Sequence, residues 1–244
     1  MVKALTTAIL LTGICFTLNA QQVITFKADD NVTVTADHYV TSTQNPYIIL
    51  LHQAGYSRGE YRETGPKFAN LGFNCLAVDL RSGNEINFIK NLTTVSAQEL
   101  GFKTDFMSAM TDITAALQFV AKRSNKPVIL VGSSYSASLA IIAATENFRI
   151  QAVIAFSPGE YFGESVCVKE LTQSLYVPLL ALSTKLEYNE MAQMLNHISS
   201  KHLQLFKPSE GEGVHGSKAL WDRNTTSDQY WMAITQFISQ LKLN

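Results

Sequence analysis

Four serines crowd the stretch V-G-S-S-Y-S-A-S at 131–138. A serine hydroxyl is a weak nucleophile until a base takes its proton and the backbone holds its Oγ clear of its surroundings. A strand, a very tight turn and a helix do this for a serine at the apex of the turn. There the residues two before and two after the apex almost touch, so both must be small. That requirement separates the four serines. Ser133 would set Val131 against Tyr135, while Ser136 and Ser138 lie inside the helix, with no strand before them. Ser134 has Gly132 before it and Ser136 after it, and the apolar run 127–131 ends where the strand should. The competing role, open to Ser133 or Ser134, is a plain helix N-cap.

An activated serine needs a base, and the base needs an orienting acid. Of five histidines, His38 alternates within an early strand, and His197 and His202 read as surface positions. His52 closes a strand and, with Gln53, reads as a buttress of the loop that follows. His215 lies in E-G-E-G-V-H-G-S, a glycine-flanked loop after the last predicted strand, from which it can reach over a sheet to Ser134. Glu187 follows a buried strand at its carboxyl end, between nucleophile and histidine in chain order. Glu190, one helical turn on, and Glu160, after the preceding strand, are the alternatives. Charge developing on an acyl oxygen needs N–H donors. Tyr135, next after the serine, supplies one, and Ala54 in the tight loop L-L-H-Q-A-G-Y-S-R-G-E-Y supplies the other.

These residues need a frame that gathers strand ends. Residues 23–26 and 32–40 alternate with period two and predict an opening antiparallel pair. Continuous apolar runs follow at 47–51, 73–78, 128–131, 152–156 and 179–182, with a shorter one at 203–206. Strands apolar on both sides suit a parallel sheet covered by helices on both faces. Helical periodicity occupies 60–71, 104–122, 135–146, 189–198 and 227–241. The pattern predicts one doubly wound α/β domain over 21–244, with a mostly parallel sheet and antiparallel N-terminal strands. Two long connections, 80–103 and 157–177, follow strand ends. Their Phe88, Ile89, Leu92, Tyr161, Phe162 and Tyr176 are candidate pocket walls.

With a net charge of −1 and 16% charged residues in 244, no basic face argues for nucleic acid. Cys75 and Cys167 make no disulfide framework, and no metal-binding motif occurs, so neither a metal nor a cofactor is expected. Residues 1–20 read as a cleaved signal peptide, from Lys3 through an apolar segment to Ala20, too short to span a bilayer. A secreted or periplasmic protein follows, without an integral span after cleavage. Ile14 before Cys15 argues against a lipid anchor.

Taken together, Leu50-Leu51-His52-Gln53-Ala54-Gly55, Leu76-Ala77-Val78-Asp79-Leu80-Arg81-Ser82-Gly83, the turn Gly132 to Ser136, and His215-Gly216 resemble the α/β-hydrolase superfamily. The likeness is nearest to its small dienelactone-hydrolase-like esterases and peptidases, and covers nearly the whole mature chain. It implies a Ser-acid-His hydrolase of an ester-like bond in a small-molecule acyl substrate, with an acyl-enzyme intermediate and no cofactor. Three positions depart from the family pattern. Gln53 replaces a common Gly, Ser136 the second Gly of the elbow, and Glu187, nine residues after Pro178, the usual Asp. A non-catalytic binding protein of the same fold, or an acyltransferase using the same triad, are the alternatives.

Overall fold

The computed structural model describes residues 21–164 and 166–242. The predicted signal peptide, residues 1–20, lies outside the described residues. The chain opens with β1 (Gln21–Lys27), β2 (Thr33–Tyr39) and β3 (Tyr47–Leu51), then α1 (Thr64–Asn70) and β4 (Asn74–Val78). A small hairpin, β5 (Glu85–Ile86) and β6 (Ile89–Lys90), leads to α2 (Leu92–Glu99) and α3 (Ala109–Ala121). Then come β7 (Val128–Ser133), α4 (Tyr135–Glu146), β8 (Ile150–Phe156), α5 (Val168–Leu171) and β9 (Leu179–Leu182). The chain finishes with α6 (Tyr188–Met194), β10 (Leu203–Phe206) and α7 (Ser227–Gln240).

Eight strands form one sheet in the order β1-β2-β4-β3-β7-β8-β9-β10. β2 runs antiparallel to both β1 and β4, and all other pairs are parallel. The predicted doubly wound α/β architecture, with its antiparallel N-terminal strands, is therefore the observed one.

Side chains alternate across the sheet with period two. Ile49, Leu51, Leu76, Val78, Leu130, Val153 and Ala181 pack on one face, against α3, α4 and α6. Ile48, Leu50, Cys75, Ala77, Ile129, Val131, Ile154 and Leu182 pack on the other, against α1 and α7. Each such Val, Ile or Leu contributes about 1.5–3 kcal/mol on burial. This two-sided burial leaves the strands no polar face. α4 is buried from Tyr135 to Ala144, as expected for a helix without a hydrophilic stripe.

Two helices differ from expectation. The run 60–71 starts as a 3-10 turn at Arg58–Tyr61 and becomes α-helical only at Thr64. Pro66 explains it: inside a longer helix its ring would strike the carbonyl four residues back, whereas a first turn tolerates it. The run 104–122 becomes helical only at Ala109, because Asp105 Oδ1 accepts the Ser108 N–H at 2.8 Å and holds a turn. The connection 80–103 carries the β5–β6 hairpin and α2, and 157–177 carries α5. Among the described residues no helix is long and apolar enough to cross a membrane.

Candidate active site

Ser134 stands between β7 and α4 with φ 59° and ψ −125°, a backbone state that costs an L-residue on the order of 1–3 kcal/mol. Gly132 permits the turn: a Cβ there would lie 2.5 Å from Ala137 Cα and 2.6 Å from the Ser136 carbonyl oxygen. Ser136 fits where a second glycine was expected because its hydroxyl is used. Its Oγ accepts the Ser133 N–H at 2.9 Å and lies 2.9 Å from the Leu51 carbonyl oxygen, tying the turn to β3. Ser138 donates to the Gly159 carbonyl at 2.7 Å, and Ser133 donates to Glu60 at 2.7 Å. Ser134 alone of the four has no backbone group on its hydroxyl. It occupies the N-cap position without making a cap bond. Its polar neighbour is the Tyr161 hydroxyl, which donates to the Ser157 carbonyl at 2.8 Å.

His215 and Glu187 meet. The imidazole Nδ1 lies 2.5 Å from Glu187 Oε1, which leaves Nε2 as the free ring nitrogen. Glu187 Oε2 accepts from the Ser157 hydroxyl at 2.7 Å and the Thr184 N–H at 3.2 Å. Burial works to raise this carboxyl, but the hydrogen bonds from His215, Ser157 and Thr184 outweigh it and hold its pKa at about 2. Glu160 turns elsewhere, accepting the Val168 and Lys169 N–H groups at 2.6 and 3.0 Å, and Glu190 is exposed.

No hydrogen bond joins Ser134 Oγ to His215 in this structure, yet the histidine loop is fastened on both sides of the serine. The Ser217 N–H donates to Ser133 Oγ at 2.8 Å, and the Gly216 N–H donates to Ser157 Oγ at 3.1 Å. Phe156, just before Ser157, accepts the Ser134 N–H at 2.8 Å. Sequence reasoning missed Ser157. Its position at the end of β8, before Pro158-Gly159, is the one signal that marked it.

Among the described residues, neither the Ala54 N–H nor the Tyr135 N–H, the first of α4, has a hydrogen-bond partner. The loop carrying Ala54 is braced from below. His52 is fully buried; its Nδ1–H donates to the Gln53 carbonyl at 2.8 Å, and its Nε2 accepts the Leu80 N–H at 2.8 Å. Burial lowers its pKa to about 4. With both nitrogens engaged it is a buttress, as expected. Of the other histidines, His197 and His202 are less exposed than their sequence suggested. His38 is buried between Tyr47 and Phe119, and His197 is half-buried, its Nε2 3.0 Å from the Thr172 hydroxyl. His202 is also half-buried.

Of the expected pocket walls, Tyr161 borders a cavity of about 300 Å³, which Ser157, Glu187, Met191 and Met194 also line. Phe88 instead projects from the β5–β6 turn, 93% exposed. It overlooks a separate cleft of about 380 Å³ with Arg62, Trp221 and Arg223. Among the described residues no group of three or more His, Cys, Asp or Glu is arranged to hold a metal ion.

The family model described as the dienelactone hydrolase family matches residues 34–198. Similar solved structures include an esterase of Pyrococcus furiosus, 17% identical, with a TM-score of 0.67 and 92% of each chain covered. A dienelactone hydrolase of Anabaena variabilis is 12% identical, with a TM-score of 0.68, covering 91% of this chain and 98% of its own. An acylaminoacyl peptidase of Pyrococcus horikoshii is 12% identical at TM-score 0.66, with 92% of this chain matching 42% of the peptidase. At such identities these structures speak for the fold. No curated protein sequence matches the chain.

Proposed function

The chain belongs to the dienelactone hydrolase family and is a serine hydrolase of ester-like bonds; from that premise we propose that Ser134, His215 and Glu187 form its catalytic triad. In this reading Ser134 Oγ attacks the acyl carbon while His215 Nε2 takes its proton. The same nitrogen returns the proton to the leaving group and then activates water to release the acyl group. Glu187 holds the Nδ1–H tautomer and stabilises the imidazolium. The N–H groups of Ala54 and Tyr135 receive the oxyanion, a contribution of about 3–4 kcal/mol per well-placed donor.

The observation that carries this reading is the strained apex at Ser134, flanked by two residues that each bind the loop bearing His215, whose imidazole meets Glu187. A fluorophosphonate probe tests it. The native protein is expected to gain one adduct, located at Ser134 by mass spectrometry, and to cleave nitrophenyl esters. Ser134→Ala should take no adduct and lose on the order of 10⁴-fold or more in kcat/KM. Equal labelling of both proteins, or of neither, would sink the assignment.

Export by a cleaved signal is part of the same proposal, supported by the charge and hydropathy pattern of residues 1–20. N-terminal sequencing of the protein recovered outside the cytoplasm should begin at Gln21. Recovery of the uncut chain in the cytoplasm would refute it.

A further inference from the structure

Below the candidate site lies a carboxylate that the triad does not use. Glu60, on the 3-10 turn Arg58–Tyr61, is fully buried. Its Oε2 accepts the Gln53 N–H at 2.7 Å, and its Oε1 accepts the Ser133 hydroxyl at 2.7 Å and the Ser217 hydroxyl at 2.6 Å. The proton directions are constrained. Ser133 Oγ is the acceptor for the Ser217 N–H, so its own proton is left for Glu60. Three donors converge on one side chain, and among the described residues no cation forms an ion pair with it, Lys218 acting only from a longer range.

Each donor belongs to a different part of the machinery. Gln53 precedes Ala54, Ser133 precedes Ser134, and Ser217 follows His215 by two residues. The backbone beneath the carboxylate is also fixed, since Trp221 Nε1–H donates to the Glu60 carbonyl at 2.9 Å. Burying a carboxylate without an ion-pair partner costs several kcal/mol, of which the three hydrogen bonds offset a part. Such a group is expected where orientation is worth more than stability.

We propose that Glu60 is a positioning residue: its carboxylate holds the Ala54 loop, the flank of Ser134 and the histidine loop in one arrangement, and so governs the rate of acyl transfer rather than the binding of substrate. The inference rests on the triad reading above. Loosening Glu60 lets the donors and the nucleophile drift from where the oxyanion forms. A misplacement near 1 Å costs up to about 100-fold in rate. Ground-state binding, which does not need the oxyanion donors, is left nearly unchanged.

The experiment compares the native protein with Glu60→Gln, which keeps the shape, and Ser217→Ala, which removes one donor and leaves the carboxylate in place. Nitrophenyl acetate turnover, inhibition by an alkyl boronic acid as tetrahedral mimic, thermal midpoint and fluorophosphonate labelling are measured on each. Glu60→Gln is expected to lose about tenfold to 100-fold in kcat with KM within about twofold. Its boronate affinity should fall in step with kcat/KM. Ser217→Ala should show the same pattern more weakly. Native kcat in Glu60→Gln would overturn the proposal. So would a loss shared equally by kcat, substrate binding and thermal midpoint, with boronate affinity falling no further than that of substrate. If Glu60→Gln does not fold, Ser217→Ala decides by the same criteria. Absence of labelling in the native protein sinks the triad reading and this proposal with it, whereas a fully labelled native protein beside a slowly labelled Glu60→Gln supports both.

Discussion

Glu187 is ionised in spite of its surroundings. Its folded pKa of about 2 lies below the ordinary 4.5, so the charged form is the one the fold favours. A depressed carboxylate contributes stability that is fully present above its unfolded value and lost as pH falls through its folded value. The window here is pH 4.5 down to about 2. Glu187→Gln removes the contribution, so the gap in thermal midpoint between native protein and variant should narrow between pH 6 and pH 2.5. For a part-exposed pair the effect is on the order of 1 kcal/mol, about 2–4 °C in a domain of this size. A gap of constant width would mean that the charge does not hold the loop. At this scale the three residues proposed as nucleophile, base and acid could be picked out because each follows a strand end in a fixed chain order. Ser157, Thr184 and Glu60 could not. Ser157 and Glu60 act through hydrogen bonds between segments remote in sequence, and Thr184, three residues from Glu187, acts through its backbone N–H, so the residue type carries no mark of the partner.

Among the elements, the five strands from β3 to β9 in the parallel sheet were readable because burial on both faces leaves uninterrupted apolar runs. α4 was read to the residue, its start fixed by the turn that also selects Ser134. The β5–β6 hairpin was not readable. Its strands are two residues long, too short for any period to show, and its turn has Asn87 and Phe88 at φ 53° and 62°. Phenylalanine is a poor guide to a turn that asks for positive φ at both centres. α2 went unseen because it buries only Thr93 and Ala97 and has no apolar stripe. Its start is set by Asn91, whose Oδ1 accepts the Thr94 N–H at 2.9 Å, a cap that stands out only once the helix is known.

Over the whole molecule, two buried arginines bind the N-terminal hairpin to the sheet. Arg58 lies between Asp37 of β2 and Asp79 after β4, at 2.9 and 2.6 Å. Arg81 lies between Asp30, in the β1–β2 turn, and Asp112 of α3, at 2.6 and 2.8 Å. Burial raises the Asp79 pKa to about 6 even with Arg58 beside it, so without the guanidinium this carboxylate would be strongly disfavoured. Arg58→Met should therefore cost about 3–5 kcal/mol, read from urea unfolding, and a loss under about 1 kcal/mol would show that the two aspartates tolerate each other. The arrangement also sets an order of assembly, because N-terminal segments are made first. β1 and β2 are made early, but the groups that neutralise Asp37 and Asp30 arrive only with Arg58 and Arg81, and Arg81 then waits for Asp112. The hairpin made first is thus among the last pieces to settle, and a nascent chain stalled before residue 112 should leave it open to protease.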